Sequence, residues 1–186
     1  GEAGGHCGDV STMVLVPEVV QTVGDNPDVA ILAAGGIATG TQMAGAMAMG
    51  ADGAWCGSVW LTTAEAETSP VVKEKMLAAS SRDTVRSRSR TGKPSRQLRS
   101  PFVDAWEQEG SPQPLPMPLQ SLVAEPALQK LDRLAGSHEG AAALSTYWVG
   151  QAVGLMNHAR TSGQVVQDFK EDFVLAYERL QALMGD

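Results

Sequence analysis

Short apolar runs alternate with segments of helical pattern in the first third of the chain. Residues 29–34 and 54–56 are continuous apolar runs, and a glycine follows each of them at once. Runs this short, bounded by turn residues, are typical of strands that are buried on both faces. Between them lies a predicted helix that Thr39 or Thr41 can cap and that Gly50 can end. The pattern predicts β/α alternation and therefore parallel strands.

Further helices are predicted from the spacing of apolar residues and from their ends. The first begins near Val16, with Pro17 in its first turn and Gly24 at its C-terminal cap. The last has apolar residues at steps of three and four, which gives one apolar stripe. Three further helices are predicted over 71–79, 119–134 and 144–158. The C-terminal helix spans 163–184, and its apolar stripe is Val166, Phe169, Phe173, Tyr177, Leu180 and Met184.

Changes of composition divide the chain into three regions. Residues 1–80 carry the β/α alternation, residues 81–120 are basic and then proline-rich, and residues 121–186 are helical. Only two complete strands are predicted, and two strands cannot form a sheet that is buried on both faces. We therefore expect a preceding segment or a partner chain, within a homo- or hetero-oligomer, to complete the fold.

Composition and charge exclude several classes of protein. Hydrophobic residues make up 43% of the chain and charged residues 19%, as in folded globular domains. No apolar run approaches the roughly 18 residues of a membrane helix, so no membrane association is predicted. Cys7 and Cys56 lack the spacing of metal ligands, so we predict no metal site and interpret them as reduced thiols of a cytoplasmic protein. The net charge of −7 argues against a nucleic-acid partner.

A pair of small residues that begins with glycine follows each predicted strand. Gly35-Gly36 ends the first strand and Gly57-Ser58 ends the second. In barrel enzymes, backbone N–H groups after the last two strands commonly hold a phosphate. One such pair alone is ordinary turn chemistry, whereas two pairs in consecutive β/α units favour a phosphate site.

His6 is the candidate catalytic residue. It stands among Gly4, Gly5 and Gly8, which offer no core packing and therefore argue against a buried structural role. Histidine exchanges protons near neutral pH, which suits a general base. His138 and His158 are interpreted as surface or capping residues.

Three stretches in this order resemble one enzyme family. They are Glu2-Ala3-Gly4-Gly5-His6-x-Gly8, then Ala33-Ala34-Gly35-Gly36-Ile37-Ala38-Thr39-Gly40, then Gly50-Ala51-Asp52-Gly53-x-x-x-Gly57-Ser58. They resemble the nitronate monooxygenases and the related flavin-dependent enoyl-thioester reductases. The resemblance implies the C-terminal portion of a (β/α)8 barrel that binds FMN, followed by a helical region. The strands ending at Gly35 and Gly57 would be the seventh and eighth, and an N-terminal half would supply the others.

The same resemblance implies roles for individual residues. His6 matches the family histidine that acts as a base or orients the substrate. The implied activity is the oxidation of nitronates or nitroalkanes with O2. Contacts to FMN, mainly at its phosphate, are expected from Gly4, Gly35, Gly36, Trp55, Cys56, Gly57 and Ser58.

The basic stretch leaves the substrate open. Seven of the 14 basic residues lie within 82–99, where Asp83 is the single acidic residue. One interpretation is an ion-paired surface loop. Another is a wall for the phosphates of coenzyme A or a pyridine nucleotide, with Arg86, Arg88 and Arg90 on one face of an extended strand. Gln151 is a further candidate for substrate contact, in a stretch that follows the family pattern more loosely.

Two alternatives to nitronate oxidation follow. The phosphate wall would favour a flavin-dependent reductase or dehydrogenase that acts on an acyl-CoA or acyl-carrier thioester with NAD(P)H. The small number of strands is also consistent with a non-catalytic half-barrel that serves as an assembly subunit or belongs to a longer chain.

Overall fold

A computed structural model describes residues 1–24 and 26–185 of the chain. The strands are β1 (Gly5–His6), β2 (Leu32–Ala34), β3 (Gly53–Trp55), β4 (Thr84–Ser87) and β5 (Ser95–Leu98). The α-helices are α1 (Thr12–Val23), α2 (Gly40–Ala48), α3 (Pro70–Ala78), α4 (Pro101–Glu107), α5 (Leu119–Leu134), α6 (Glu139–Leu144) and α7 (Ser162–Met184). Short 3-10 helices span Ser58–Thr62, Ser81–Asp83 and Gln151–Leu155.

The strands form two small sheets. β2 and β3 pair in parallel, with Ala33 opposite Ala54, and α2 connects them. This is the predicted β/α unit, and the predicted parallel pairing is confirmed. The second sheet is antiparallel in the order β1-β5-β4, so the start of the chain pairs with a hairpin formed far along it.

The parallel sheet is open on one face, as expected of two strands that need a preceding segment or a partner chain to complete the fold; burial of both faces in the completed fold stays a prediction. Ala33 is buried, but 52% of Leu32 and 70% of Trp55 are exposed. Within residues 1–24 and 26–185, no third strand joins this sheet and no closed barrel forms. The apolar composition of these strands therefore exceeds what the chain itself can cover.

Helix α2 has the predicted ends. The Thr39 side chain accepts a hydrogen bond from the Gln42 N–H, and Gly50 follows the helix with a φ of +102°. Helix α1 differs from its prediction, because it starts at Thr12 and has Pro17 in its interior instead of its first turn. The Glu2 carboxylate accepts the Thr12 N–H at 2.9 Å, which satisfies one free donor at the helix start. Sequence periodicity could not indicate this distant cap.

The predicted helix over 144–158 is wrong. Helix α6 ends at Leu144, residues 145–150 run extended, and a 3-10 helix covers Gln151–Leu155. In the extended stretch Trp148 forms an antiparallel bridge with Gln97, next to the hairpin of β4 and β5. A pairing with a distant strand therefore overrides the local helical pattern.

Helix α7 packs against α2 near its own beginning. Val165 is buried and Phe169 is half-buried, and the Phe169 carbonyl lies so close to Gly40 that a Cβ there would be 2.0 Å away. Farther along the helix, Tyr177 and Leu180 are exposed. Of the predicted stripe only Phe169 and Phe173 are half-buried, whereas Val166 and the later members are exposed, and the buried Val165 lies outside the predicted stripe. None of the described helices has the length and apolarity to cross a membrane.

Candidate active site

A cavity of about 310 Å³ lies where β2 and β3 end. Three stretches of chain enclose it: the beginning, the two strand ends, and the stretch after α6. None of the side chains that line it carries a charge, so backbone and hydroxyl groups are its polar surface. The lining residues are Ala3, Gly4, Gly5, Ala34, Gly35, Gly36, Ile37, Trp55, Gly57, Ser58, Leu61, Tyr147, Trp148 and Ala152.

The Gly35-Gly36 turn is held by protein groups on its carbonyl side. Thr12 donates its hydroxyl to the Gly35 carbonyl at 3.0 Å, and Gln42 donates its amide to the Gly36 carbonyl at 2.7 Å. Both glycines have positive φ, and a Cβ on Gly36 would lie 2.7 Å from Glu2 Cγ. The turn therefore requires glycine here for its backbone conformation and for close packing.

The Gly57-Ser58 turn faces open space. A Cβ on Gly57 would meet no heavy atom within 4 Å. The Ser58 hydroxyl accepts the Gly150 N–H at 2.9 Å, so its own proton can be donated to a ligand. Gly4 packs on the same stretch, because a Cβ on it would lie 2.7 Å from the Gly150 nitrogen. These contacts bring the stretch before Gly150 to the cavity.

Two aromatic side chains that the sequence analysis did not assign to the site form one wall. Tyr147 and Trp148 line the cavity and contact each other edge to face, with ring centroids 5.8 Å apart. The Arg90 guanidinium stacks on Trp148 at 3.9 Å and is paired with Glu125 at 2.6 Å. The sequence signal for this wall was the loosely family-like stretch that contains Gln151, but the helix predicted over 144–158 gave these aromatic residues no place at the site.

His6 follows the lining residue Gly5 in β1 and is not itself among the residues that line the cavity. Its Nε2 atom is 2.7 Å from the Thr91 hydroxyl, and the ring is otherwise exposed. Pairing of β1 with β5 brings His6 opposite Ser95 and thus to this part of the hairpin. His6 is therefore next to a lining residue in the chain but does not itself line the cavity, and its role as a base stays a prediction.

The structure gathers most of the candidate cofactor residues. Gly4, Gly35, Gly36, Trp55, Gly57 and Ser58 line the one cavity. Cys56 does not; it borders a separate apolar cavity beside Trp60 and Phe169. Burial raises the pKa of the Cys56 thiol, which therefore stays protonated at neutral pH. Contacts of all these candidate residues with a cofactor remain predictions.

The basic stretch forms what we call the arginine hairpin, residues 82–99. β4 ends at Ser87, and Arg90 is buried while Arg86 and Arg88 are exposed, so the expected common face of three guanidinium groups is wrong. Arg86 pairs with Asp9, and Arg88 donates to the Gly92 carbonyl. The ion-paired alternative therefore describes this stretch better. A substrate role for these arginines stays a prediction, as it does for exposed Gln151, whose N–H donates to the Glu2 carbonyl.

Glu2 connects several of these parts. Burial alone would raise the pKa of its carboxyl, but hydrogen bonds from backbone N–H groups, that of Thr12 among them, outweigh burial and lower the pKa. The carboxylate is therefore charged at neutral pH and serves as the cap of α1. Within the described part of the chain, no three His, Cys, Asp or Glu side chains come together to bind a metal.

Comparison with known proteins assigns this arrangement to a family. The family model for nitronate monooxygenase matches residues 1–172. The chain belongs to the nitronate monooxygenase family. The match includes both strand ends, His6, the arginine hairpin and the Tyr147–Trp148 wall.

Individual relatives agree with the family assignment. The chain is 57% identical to "Putative monooxygenase Rv1533" of Mycobacterium tuberculosis over 98% of its own length and 48% of the relative's. It is 39% identical, over 60% of its length and 30% of the relative's, to "(3aS,4S,5R,7aS)-5-hydroxy-7a-methyl-1-oxo-octahydro-1H-indene-4-carboxyl-CoA dehydrogenase" of Rhodococcus jostii.

A solved structure shows the same fold relation. Nitroalkane oxidase of Streptomyces ansochromogenes superposes with a TM-score of 0.79 at 28% identity, over 96% of this chain and 51% of that one. The chain thus spans about half the length of this nitroalkane oxidase and of the mycobacterial relative. It is a mixed α/β chain that corresponds to about half of such a barrel, which explains the open face of β2 and β3.

Proposed function

We propose that the chain is the C-terminal half of an FMN-dependent oxidoreductase that oxidises nitronates or nitroalkanes with O2. In this proposal β2 and β3 are the seventh and eighth strands of a (β/α)8 barrel. The observation that carries it is the single uncharged cavity formed by both strand ends together with Gly4, Gly5 and Trp148. Family membership supports the same activity.

The residues present fit FMN. The space beside Gly57 is open, the Ser58 hydroxyl can donate, and the lining carries no carboxylate that would repel a phosphate. Among the described residues, no protein acceptor is assigned to the N–H groups of Gly36 and Gly57, which suits anion binding by backbone donors. Exposed Trp55 together with Trp148 offers flat apolar surface to a ring system.

In this proposal, different residues of the chain bind the cofactor and remove the substrate proton. Backbone N–H groups of the two turns and the Ser58 hydroxyl hold the phosphate, while Trp55 and Trp148 contact the apolar part of the cofactor. His6 removes the α-proton of a neutral nitroalkane, and the electron pair of that C–H bond stays on the substrate as the nitronate. FMN held there would supply the chemistry for electron transfer between the nitronate and O2.

The remaining barrel strands belong to an N-terminal half, on the same chain or on a partner, in this proposal. The exposed apolar side chains at β2 and β3, Leu32 and Trp55, support this because they have no cover among residues 1–24 and 26–185. The small-molecule substrate would then bind between the two halves, next to His6.

The test uses this chain together with the N-terminal half of the barrel, on the same polypeptide or as a partner chain; we call this the completed protein. We expect the purified protein to show a flavin absorption spectrum and to consume O2 with propionate 3-nitronate in the absence of NAD(P)H. The variant His6→Ala should retain the flavin but lose nitroalkane oxidation. A completed protein that stays colourless after incubation with FMN would overturn the proposal and favour a non-catalytic half-barrel.

A second candidate is a flavin-dependent dehydrogenase or reductase of an acyl-CoA or acyl-carrier thioester that uses NAD(P)H. The identity of 39% with the carboxyl-CoA dehydrogenase favours it. In that case NAD(P)H oxidation should depend on an added acyl thioester, and the nitronate should not be consumed.

A further inference from the structure

Thr91 is a buried residue in the arginine hairpin whose hydroxyl has three neighbours. Only 5% of the residue is exposed. Its Oγ1 atom lies 2.7 Å from His6 Nε2, 3.2 Å from the Lys93 carbonyl and 3.3 Å from the Lys93 nitrogen. The Lys93 N–H is a donor and fills one accepting position of the hydroxyl, and the Lys93 carbonyl is an acceptor within reach of the hydroxyl proton.

The Thr91 hydroxyl has one proton to donate, either to His6 Nε2 or to the Lys93 carbonyl. The choice decides which nitrogen of the His6 ring carries the ring proton. If the proton goes to His6 Nε2, the ring proton must reside on Nδ1, and the neutral ring then has no free lone pair. If it goes to the Lys93 carbonyl, the Thr91 oxygen accepts the Nε2 proton and Nδ1 keeps its lone pair. Only the second arrangement leaves His6 able to act as a base, with Nδ1 as the reacting nitrogen.

The backbone around Thr91 is fixed by the proline-rich segment. Gly92 has a φ of +82°, and a Cβ on it would lie 2.1 Å from the Leu115 carbonyl oxygen. The Gly92 N–H donates to the Arg88 carbonyl at 2.9 Å, and Arg88 Nε donates back to the Gly92 carbonyl at 2.9 Å. Close packing of Gly92 against the segment around Leu115 therefore holds Thr91 in place, as a rigid orienting group requires.

We propose that Thr91 is a positioning residue that accepts the Nε2 proton of His6 and passes its own hydrogen bond to the Lys93 carbonyl, which makes Nδ1 the proton-accepting atom. This rests on the proposed function in taking His6 as the base. When the α-proton of a nitroalkane moves to Nδ1, the Nε2–H bond stays intact and Thr91 stabilises the resulting imidazolium. No proton travels along the hydrogen bonds, and no other reactant is required.

The first test reads the imidazole directly and needs neither cofactor nor substrate. This chain has three histidines, so ¹⁵N-histidine labelling of this chain alone, within the protein completed by its other half, gives three rings, and His6 is assigned from a His6→Asn sample. At about pH 8, where an ordinary imidazole is neutral, we expect the His6 proton on Nε2, with its N–H signal protected from exchange with water. Thr91→Val should remove this protection and Thr91→Ser should retain it. A proton on Nδ1 in the wild-type chain would overturn the proposal, whatever the variants do.

Two controls separate positioning from folding. His138 Nδ1 accepts the Ala141 N–H, so its signals should be the same in every variant. Thr22→Val removes a hydroxyl that donates only within α1, and it should leave the His6 signals unchanged. Unchanged His6 protection in a folded Thr91→Val chain would also overturn the proposal.

The second test compares two substrates on the flavin-loaded protein completed by its other half. A nitroalkane needs proton removal, whereas a preformed nitronate does not. Thr91→Val should lower kcat for the nitroalkane by roughly tenfold or more and leave nitronate oxidation close to wild type. Equal losses on both substrates would contradict a positioning role. Absence of nitronate oxidation by the wild-type protein would instead refute the proposed function and leave the imidazole result standing.

Discussion

Two regions of this chain could receive an anionic ligand, and they differ in which of their groups are free. The cavity edge formed by Gly35-Gly36 and Gly57-Ser58 has no charged lining, and a Cβ on Gly57 would meet no heavy atom within 4 Å. The arginine hairpin concentrates positive charge, but most of its guanidinium groups already bind protein acceptors. The pairs are Arg86 with Asp9, Arg88 with Gly92, Arg90 with Glu125, Arg96 with Gly1 and Arg99 with Asp104.

The difference teaches that clustered charge in a sequence does not by itself indicate a ligand site. A guanidinium that is already paired must lose its partner before it can bind a phosphate, whereas an unoccupied backbone N–H needs no such exchange. The hairpin instead has a structural role. Its strand β5 pairs with β1, Thr91 forms a hydrogen bond with His6, and the Arg90 guanidinium stacks on the Trp148 ring.

The largest expected effect concerns Arg90, the buried member of the hairpin. Arg90→Ala removes a bidentate pair with Glu125 and the cation stacked on Trp148. We expect a loss of about 3 kcal/mol in the free energy of unfolding, because Glu125 then keeps a partly buried charge without its partner. Urea unfolding of both proteins measures this.

The pKa of Asp132 gives a second expected effect of removing Arg90. Burial raises the pKa of its carboxyl, and the charge of Arg90 acts in the opposite direction. Removal of the cation should therefore also favour protonation of Asp132. Arg99→Ala is the control, since its pair with Asp104 is exposed and should contribute no more than about 0.5 kcal/mol. Similar losses in both variants would mean that burial does not distinguish the arginines.

Next in size is an effect on the cavity edge. Gly57→Val fills the space that now lies open beside the turn, and it should weaken FMN binding by roughly tenfold or more because a side chain blocks approach of the phosphate to the backbone. Fluorescence titration of FMN against the completed protein measures the affinity. Gly163→Val, at an exposed glycine of α7, is the matched control. Full affinity in Gly57→Val would remove this turn from the site.

The two regions also differ in how far the sequence predicted them. Around α2, local signals sufficed: Thr39 caps the helix, Gly50 has positive φ, and the flanking strands pair in parallel. These features depend on residues close together in the chain.

The other half of the site depends on contacts between distant residues. Tyr147 and Trp148 reach the cavity because Trp148 pairs with Gln97, and a helical pattern over 144–158 gave no sign of that pairing. His6 was identified from its glycine neighbours, but its partner Thr91 was hidden in a stretch interpreted by charge alone. Local patterns carry no information on which strand edge a distant segment joins.

A smaller effect is expected at Glu2, which joins the cavity edge to α1. Its pKa is lowered in the folded chain, so the carboxylate stabilises the fold above the ordinary Glu value near 4.3 and loses this contribution as the pH falls through the lower folded value. Glu2→Ala should cost about 1 kcal/mol at pH 7 through loss of the α1 cap, and much less at pH 3. A cost that is independent of pH would show that packing against Gly36, not charge, explains the role of Glu2.

The smallest effect is expected at Arg86, and it decides whether the hairpin touches a ligand at all. Arg86→Gln removes an exposed pair with Asp9 and should change the free energy of unfolding by less than about 0.5 kcal/mol. If the cavity edge alone holds the phosphate, FMN affinity and nitronate oxidation should stay at wild-type values. If the hairpin receives coenzyme A or NAD(P)H, KM for that ligand should rise several-fold while FMN affinity stays constant. Asp9→Asn frees the same guanidinium without removing it, so it should lower that KM in the second case and change nothing in the first.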